Sequence, residues 1–186
     1  MGNHSWSKDL LARVRFGKRC LPLVLLAIWP ACSMAQDKHI DVTVRQEGAV
    51  HKLVFLNSEC PDRAGEMGCV MADHGNSPNI SWQLDDAGSA DWILSRLQFS
   101  PDGSNWGDPS HPLTNCTVED FRLTESDRST GLASSAQIVS NGRMLKIRDG
   151  NRNVCVTHYR LYAMPRAGGM EIDSDPVIDN RGGGRN

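Results

Sequence analysis

Between Ala136 and Ala163, three short runs alternate apolar with polar positions, separated by two turn signals, Asn141-Gly142 and Asp149-Gly150. Alternation with a period of two is the signature of a strand with one buried face, so this stretch predicts a β-meander. Asn-Gly suits a type I′ turn, because that turn needs positive φ at both central residues. With Asn141 and Gly142 central, Ser140 pairs with Arg143, Ile138 with Leu145 and Ala136 with Ile147, which puts the apolar members on one face. The second link has two registers. A two-residue loop at Gly150-Asn151 sets Ile147 against Val154, and a three-residue loop sets it against Cys155. The second is favoured: it turns Cys155, Thr157, Tyr159, Leu161 and Ala163 inward and leaves His158 and Arg160 facing water.

The same alternation marks earlier strands. Ile40, Val42 and Val44 share a face in His39 to Arg45, and Glu47-Gly48 turns the chain into a second strand, Val50 to Leu56. Cys60 to Pro78 has turn residues at high density and no period, which predicts a loop. Ile80, Trp82 and Leu84 re-enter the sheet, with Trp82 as a core anchor. Asp91 to Ser100 fits strand and helix spacing, and its aromatics and following turn favour the strand. Pro101 to Cys116 is expected to be a long surface loop, the run Val118, Phe121, Leu123 carries no clear period, and Met170 and Ile172 start an edge strand. The reading is an all-β, antiparallel Greek-key β-sandwich of about seven strands, with Trp82, Phe99, Leu145, Ile147, Tyr159 and Leu161 in the core.

The first 35 residues change the picture. Lys8, Arg13, Arg15, Lys18 and Arg19 precede a short apolar run, Leu21 to Ile28, then Pro30 and the small-residue site Ser33-Met34-Ala35. That order predicts a signal peptide over 1–35, cleaved after Ala35, and hence a periplasmic or secreted product with no stable membrane span. A lipoprotein signal at Cys32 would want an aliphatic residue where Trp29 stands. The expected layout is a leader at 1–35, one β-sandwich domain at 36–180 and a disordered Gly-rich tail at 181–186. From Gln36 on, 15 basic residues face 21 acidic ones, a formal charge of −6. An acidic surface without a Lys/Arg cluster argues against nucleic acid and anionic membrane as partners. The same segment keeps four of the six cysteines, Cys60, Cys69, Cys116 and Cys155. An even count in an exported chain reads as disulfides, and the simplest of three connectivities is Cys60 with Cys69 and Cys116 with Cys155.

The order of Ile80-Ser-Trp82-Gln-Leu84, Tyr159-Arg-Leu161-Tyr162 and Asp175-Pro-Val-Ile178-Asp-Asn180 resembles small exported bacterial β-sandwich proteins of the cupredoxin-like kind. The resemblance implies a cupredoxin- or immunoglobulin-like fold whose last strand docks the C-terminus onto a sheet. It carries no activity.

Candidate chemistry is sparse. Cys155, His158 and Met164, with His74 as a second imidazole, match the ligand types of a blue-copper site. Cys155 and His158, however, have opposite parity on a predicted strand, and a disulfide sulfur cannot serve as the thiolate. Met67, Met71 and His74 are soft-ligand candidates for cuprous copper. Ser100 to Trp106 is similar to the turn of sialidase Asp boxes but differs by one residue in spacing and occurs once, so it reads as a turn clamped by Trp106. It misses an EF-hand, because Trp106 sits at a ligand position and Leu113 where the bidentate Glu belongs. Asp85-Asp86 reads as a solvated turn. No nucleophile elbow, zincin helix, phosphate loop or Cys-x-x-Cys motif is present. The expectation is a non-catalytic exported module without a cofactor, taking an envelope or extracellular protein or glycan on the loops 60–78 and 101–116. A copper carrier is the alternative.

Overall fold

The computed structural model describes residues 36–61, 66–73, 76–174 and 176–181. The expected leader, His74 and positions 182–186 lie outside the described residues. Ten strands and three short helices follow one another in this order: β1 (Lys38–Glu47), β2 (Val50–Phe55), β3 (Val70–Ala72), β4 (Asn79–Leu84), α1 (Asp86–Asp91), β5 (Trp92–Ser100), α2 (Asn115–Asp120), α3 (Glu125–Thr130), β6 (Gln137–Val139), β7 (Met144–Arg148), β8 (Val154–Pro165), β9 (Ile172–Ser174) and β10 (Val177–Arg181). The protein is therefore mostly β.

Two mixed sheets share one core. The first has strand order β2-β1-β4-β7-β6; the second has β3-β10-β8-β5, with β9 also paired to β8. The expected all-antiparallel arrangement does not hold, since β1 runs parallel to β4 and β3 parallel to β10. After the β1–β2 hairpin the chain visits the second sheet as β3 and returns beside β1 as β4, and a crossover of that kind delivers a parallel neighbour. Residues 60–78 thus contain a buried strand, which three apolar residues among turn formers concealed.

The first half of the meander forms in the expected register, with Ile138 opposite Leu145 and positive φ at Asn141 and Gly142. The second half does not form. β7 pairs with β4 and β6, whereas β8 lies in the other sheet between β5 on one side and β9 and β10 on the other. The physical reason lies in 149–153: Asp149 N–H donates to Pro78 O and Gly150 N–H to Asp120 O, so backbone groups that would close a hairpin bind loop and helix instead. The inward parity is nevertheless right, because the alternation is a property of β8 whichever strand pairs with it. Thr157, Tyr159, Leu161 and Ala163 are buried.

All six expected core residues are buried, and Trp82 and Tyr159 join the sheets. Trp82 Nε1–H donates to Tyr159 Oη at 2.8 Å, and Tyr159 O–H donates to Gly68 O at 2.6 Å, so neither polar tip is stranded in the core. Phe121 stacks on Phe99 at 4.5 Å and brings the α2–α3 segment onto the same core. The helices start on side-chain caps. Asp85 accepts from Gly88 N–H, Thr114 from Thr117 N–H, and Thr124 forms a capping box with Asp127. Asp85-Asp86, expected to be a solvated turn, is thus the cap and first residue of α1. The loop expected over 101–116 ends at Thr114, the cap of α2, and Arg181, expected in the tail, is the last residue of β10.

Candidate functional site

The copper constellation is not brought together. Both disulfides form as expected, Cys60 with Cys69 and Cys116 with Cys155, so Cys155 carries no thiolate. His158 and Met164 lie on the same strand, three and nine residues beyond Cys155 and at opposite parity to it, and nine residues of strand span about 30 Å. Met164 lines a hollow with Ile93, Ile138 and Arg166 instead. Met71 is buried with Cys60 and Cys69, while Met67 is exposed. Among the described residues, Cys116, Asp120 and Cys155 do bring ligating atoms together, but both sulfurs are spent in the disulfide.

Around that disulfide lies a buried polar cluster that the sequence reading missed. Asp120, Asp149, Asn151 and Asn180 are all fully buried. Asp120 Oδ1 accepts from Arg152 N–H at 2.8 Å and Asn153 Nδ2 at 3.2 Å. The Asn180 amide bridges the two carboxyls, donating to Asp120 Oδ2 at 2.8 Å and Asp149 Oδ1 at 3.2 Å. Asn151 Nδ2 donates to Ala72 O and Asp73 O, and Thr117 Oγ1 lies 3.1 Å from Thr157 Oγ1. Burial pushes the Asp149 carboxyl up to about 7, and the Asp120 carboxylate adds to the rise, against hydrogen bonds from Asn151 N–H and the Asn180 amide. Asp149 Oδ2 and Asn180 Oδ1 have no hydrogen-bonding partner. The cluster ties α2, the 149–153 connection, β3 and β10 into one unit, and it is closed to solvent.

Ser100 to Trp106 is a clamped turn. Asp102 Oδ1 accepts from Ser104 N–H and Asn105 N–H, which hold its carboxyl well below the usual range. Trp106 Nε1–H donates to Gly103 O, and the Arg160 guanidinium lies 4.2 Å from the centre of the Trp106 ring. Gly103 has φ +77°, and a Cβ there would sit 2.7 Å from His158 Nδ1, so only glycine fits between turn and strand.

At the far end of the β5–β8 pair the surface opens into an apolar groove of about 640 Å³. One wall is the β1–β2 turn with Ala49, Val50 and His51. The floor is Asp91 and Trp92, and the other wall is Pro165, Ala167, Met170, Glu171 and Ile172. The His51 ring lies 5.1 Å from that of Trp92. Met170 is 87% exposed and Val50 58%, although both are large apolar residues. The wall is tied down from two sides. The bulge between Leu94 and Arg96 breaks the alternation, and Ser95 Oγ and the Arg96 guanidinium both reach Glu171, at 2.8 Å each. Burial raises the Glu171 carboxyl, but the hydrogen bonds from Arg96 and Ser95 outweigh it and leave it below the ordinary value. Arg166 N–H donates to Asp91 O and its Nε to Ser89 O, fixing the wall to α1. No single motif marks these residues; the one available signal was an exposed Met and Val flanking predicted strands.

No protein-family model matches the chain, and no curated protein matches it either. By its geometry the protein is a mostly β chain of two mixed sheets with two disulfides, and no described helix is long and apolar enough to cross a membrane.

Proposed function

We propose that this chain is an exported, non-catalytic binding module whose ligand occupies the groove between the β1–β2 turn and the β8–β9 connection. The observation that carries the reading is the groove itself: a concave, mostly apolar surface with a few polar groups and an aromatic floor, within the size range of small-molecule sites. Large apolar side chains held in water along its walls, Val50 and Met170, lose that exposure only when something lies over them. Export is supported by the leader-like first 35 residues and the two disulfides. The carboxyl pair Asp120 and Asp149 is buried and offers a substrate no access, so it is not part of the proposed site. Two sheets around one core agree with a cupredoxin-like sandwich in layer architecture, while their mixed pairing departs from the antiparallel pattern expected from the sequence.

The test uses a neutral apolar fluorophore, N-phenyl-1-naphthylamine, titrated into the purified protein and into the double variant Val50→Glu/Met170→Glu. Binding should weaken at least about tenfold in the variant, since two buried apolar contacts are lost, with an unchanged thermal melt. Equal affinity in both proteins would remove the groove as the binding site.

A further inference from the structure

We propose that the groove selects a hydrophobic cation, a ligand with an apolar body and an amine or quaternary ammonium group. This deepens the groove reading above and rests on it. The lining contains two carboxylates, Asp91 and Glu171, and no Lys or Arg. Glu171 is already engaged by Ser95 and Arg96. Asp91 is different: it is exposed at the end of α1, and its carboxylate has no side-chain partner among the described residues.

The nearby guanidiniums do not neutralise the groove from within. Arg96 is held on Glu171 and over the Tyr162 ring at 3.7 Å. Arg166 donates to Ser89 O and Asn141 O and lines the neighbouring hollow, not this one. An anionic ligand would meet Asp91 without a compensating cation, whereas an ammonium would pair with it while its apolar body covers Val50, Met170 and Ile172. Trp92 in the same lining adds an indole of the kind whose face attracts a cation. The charge of −6 over 36–186 acts in the same direction at longer range.

The experiment compares three amphiphiles with the same alkyl chain and different heads, decyltrimethylammonium, decyl maltoside and decyl sulfate. Each is titrated calorimetrically below its micelle threshold. The expected order is ammonium tightest, maltoside next and sulfate weakest, with ammonium about fivefold to tenfold tighter than maltoside, the range of one partly exposed ion pair with an aromatic neighbour. Asp91→Asn should bring ammonium and maltoside to within about twofold while leaving maltoside unchanged, and about 0.5 M salt should narrow the same gap in the unaltered protein. Equal binding of the three heads, tighter sulfate, or a preference untouched by Asp91→Asn would overturn the charge selection and leave the groove reading standing. If none of the three binds, or if Val50→Glu/Met170→Glu binds maltoside as well as the unaltered protein does, the groove reading itself falls.

Discussion

The two ends of β8 are built in opposite ways. Around Cys155 and Thr157 the inward face is stapled: the Cys116–Cys155 disulfide and the Thr117–Thr157 contact dock α2, the Asn180 amide ties β10 to Asp120 and Asp149, and Asn151 reaches back to β3, while Val154 and Val156 on the other face are exposed. Around Pro165, about 26 Å along the strand from Thr157, the walls hold by a few surface hydrogen bonds and expose apolar side chains. The difference teaches where the protein spends its rigidity. The polar cluster pairs most of its groups internally, leaving Asp149 Oδ2 and Asn180 Oδ1 without a partner, and it faces no solvent, so it holds the fold. The groove leaves apolar area and one carboxylate unpaired, so it has something to offer a ligand. Two loop glycines sit at the stapled end, where Gly68 O receives the Tyr159 hydroxyl and Gly103 packs on His158.

Breaking the stapled end should have the largest effect. Replacing Cys116 and Cys155 together by Ala opens a loop with a sequence separation of 39 residues and should cost roughly 3–4 kcal/mol, read as a lower urea midpoint. Affinity at the groove should stay the same among folded molecules. Tyr159→Phe should come next, at about 2–3 kcal/mol, because it leaves the Trp82 indole N–H and Gly68 O buried without partners.

The pH dependence sharpens the contrast. The folded state holds the Asp149 proton up to about pH 7, whereas the unfolded chain releases it near pH 4. The unfolded state therefore binds fewer protons between those values, and this group's contribution to stability falls as pH rises from about 4 to 7, then levels off. Asp149→Asn keeps an oxygen for Asn151 N–H and the Asn180 amide. It should flatten that slope and raise the melting temperature at pH 8. An unchanged slope would show that Asp149 ionises normally in the folded protein. On the acid side, burial raises the Asp127 carboxyl, but hydrogen bonds from Ser134 and Thr124 lower it further, so its contribution is present above the ordinary carboxylate pKa and is lost as pH falls through its folded value.

The groove end should respond least. Glu171→Gln removes a half-exposed ion pair and should cost about 1 kcal/mol or less in a chemical melt, with faster amide exchange confined to 166–172. Met170→Ser should leave stability within about 0.5 kcal/mol while weakening the neutral fluorophore. A Met170→Ser protein that melts much earlier would make Met170 a core residue and end the contrast.

Much of this molecule was legible in its residues. Alternation placed β1, β2, β4 and β7 and the inward face of β8, the aromatics and the following turn placed β5, and the Asn141-Gly142 turn set one register, because strand periodicity and turn chemistry are local. Cysteine parity and a leader-like start also led to the simplest disulfide pairing, which the structure contains. The Thr124-Glu-Ser-Asp127 capping box was readable too, and α3 was missed by weighing apolar period alone. What the sequence could not decide was partnership across distance. Asp149-Gly150 has the local chemistry of a hairpin turn, yet its backbone donors bind Pro78 and Asp120, distant in the chain, and β8 lies in the other sheet; the parallel pairs, β1 with β4 and β3 with β10, come likewise from strands far apart in the chain. The groove likewise exists only because Val50, Trp92 and Met170, from three separate segments, meet at one end of two sheets. Local rules set the faces of the strands; long-range burial of polar groups chose which strands became neighbours, and so where the surface was left open.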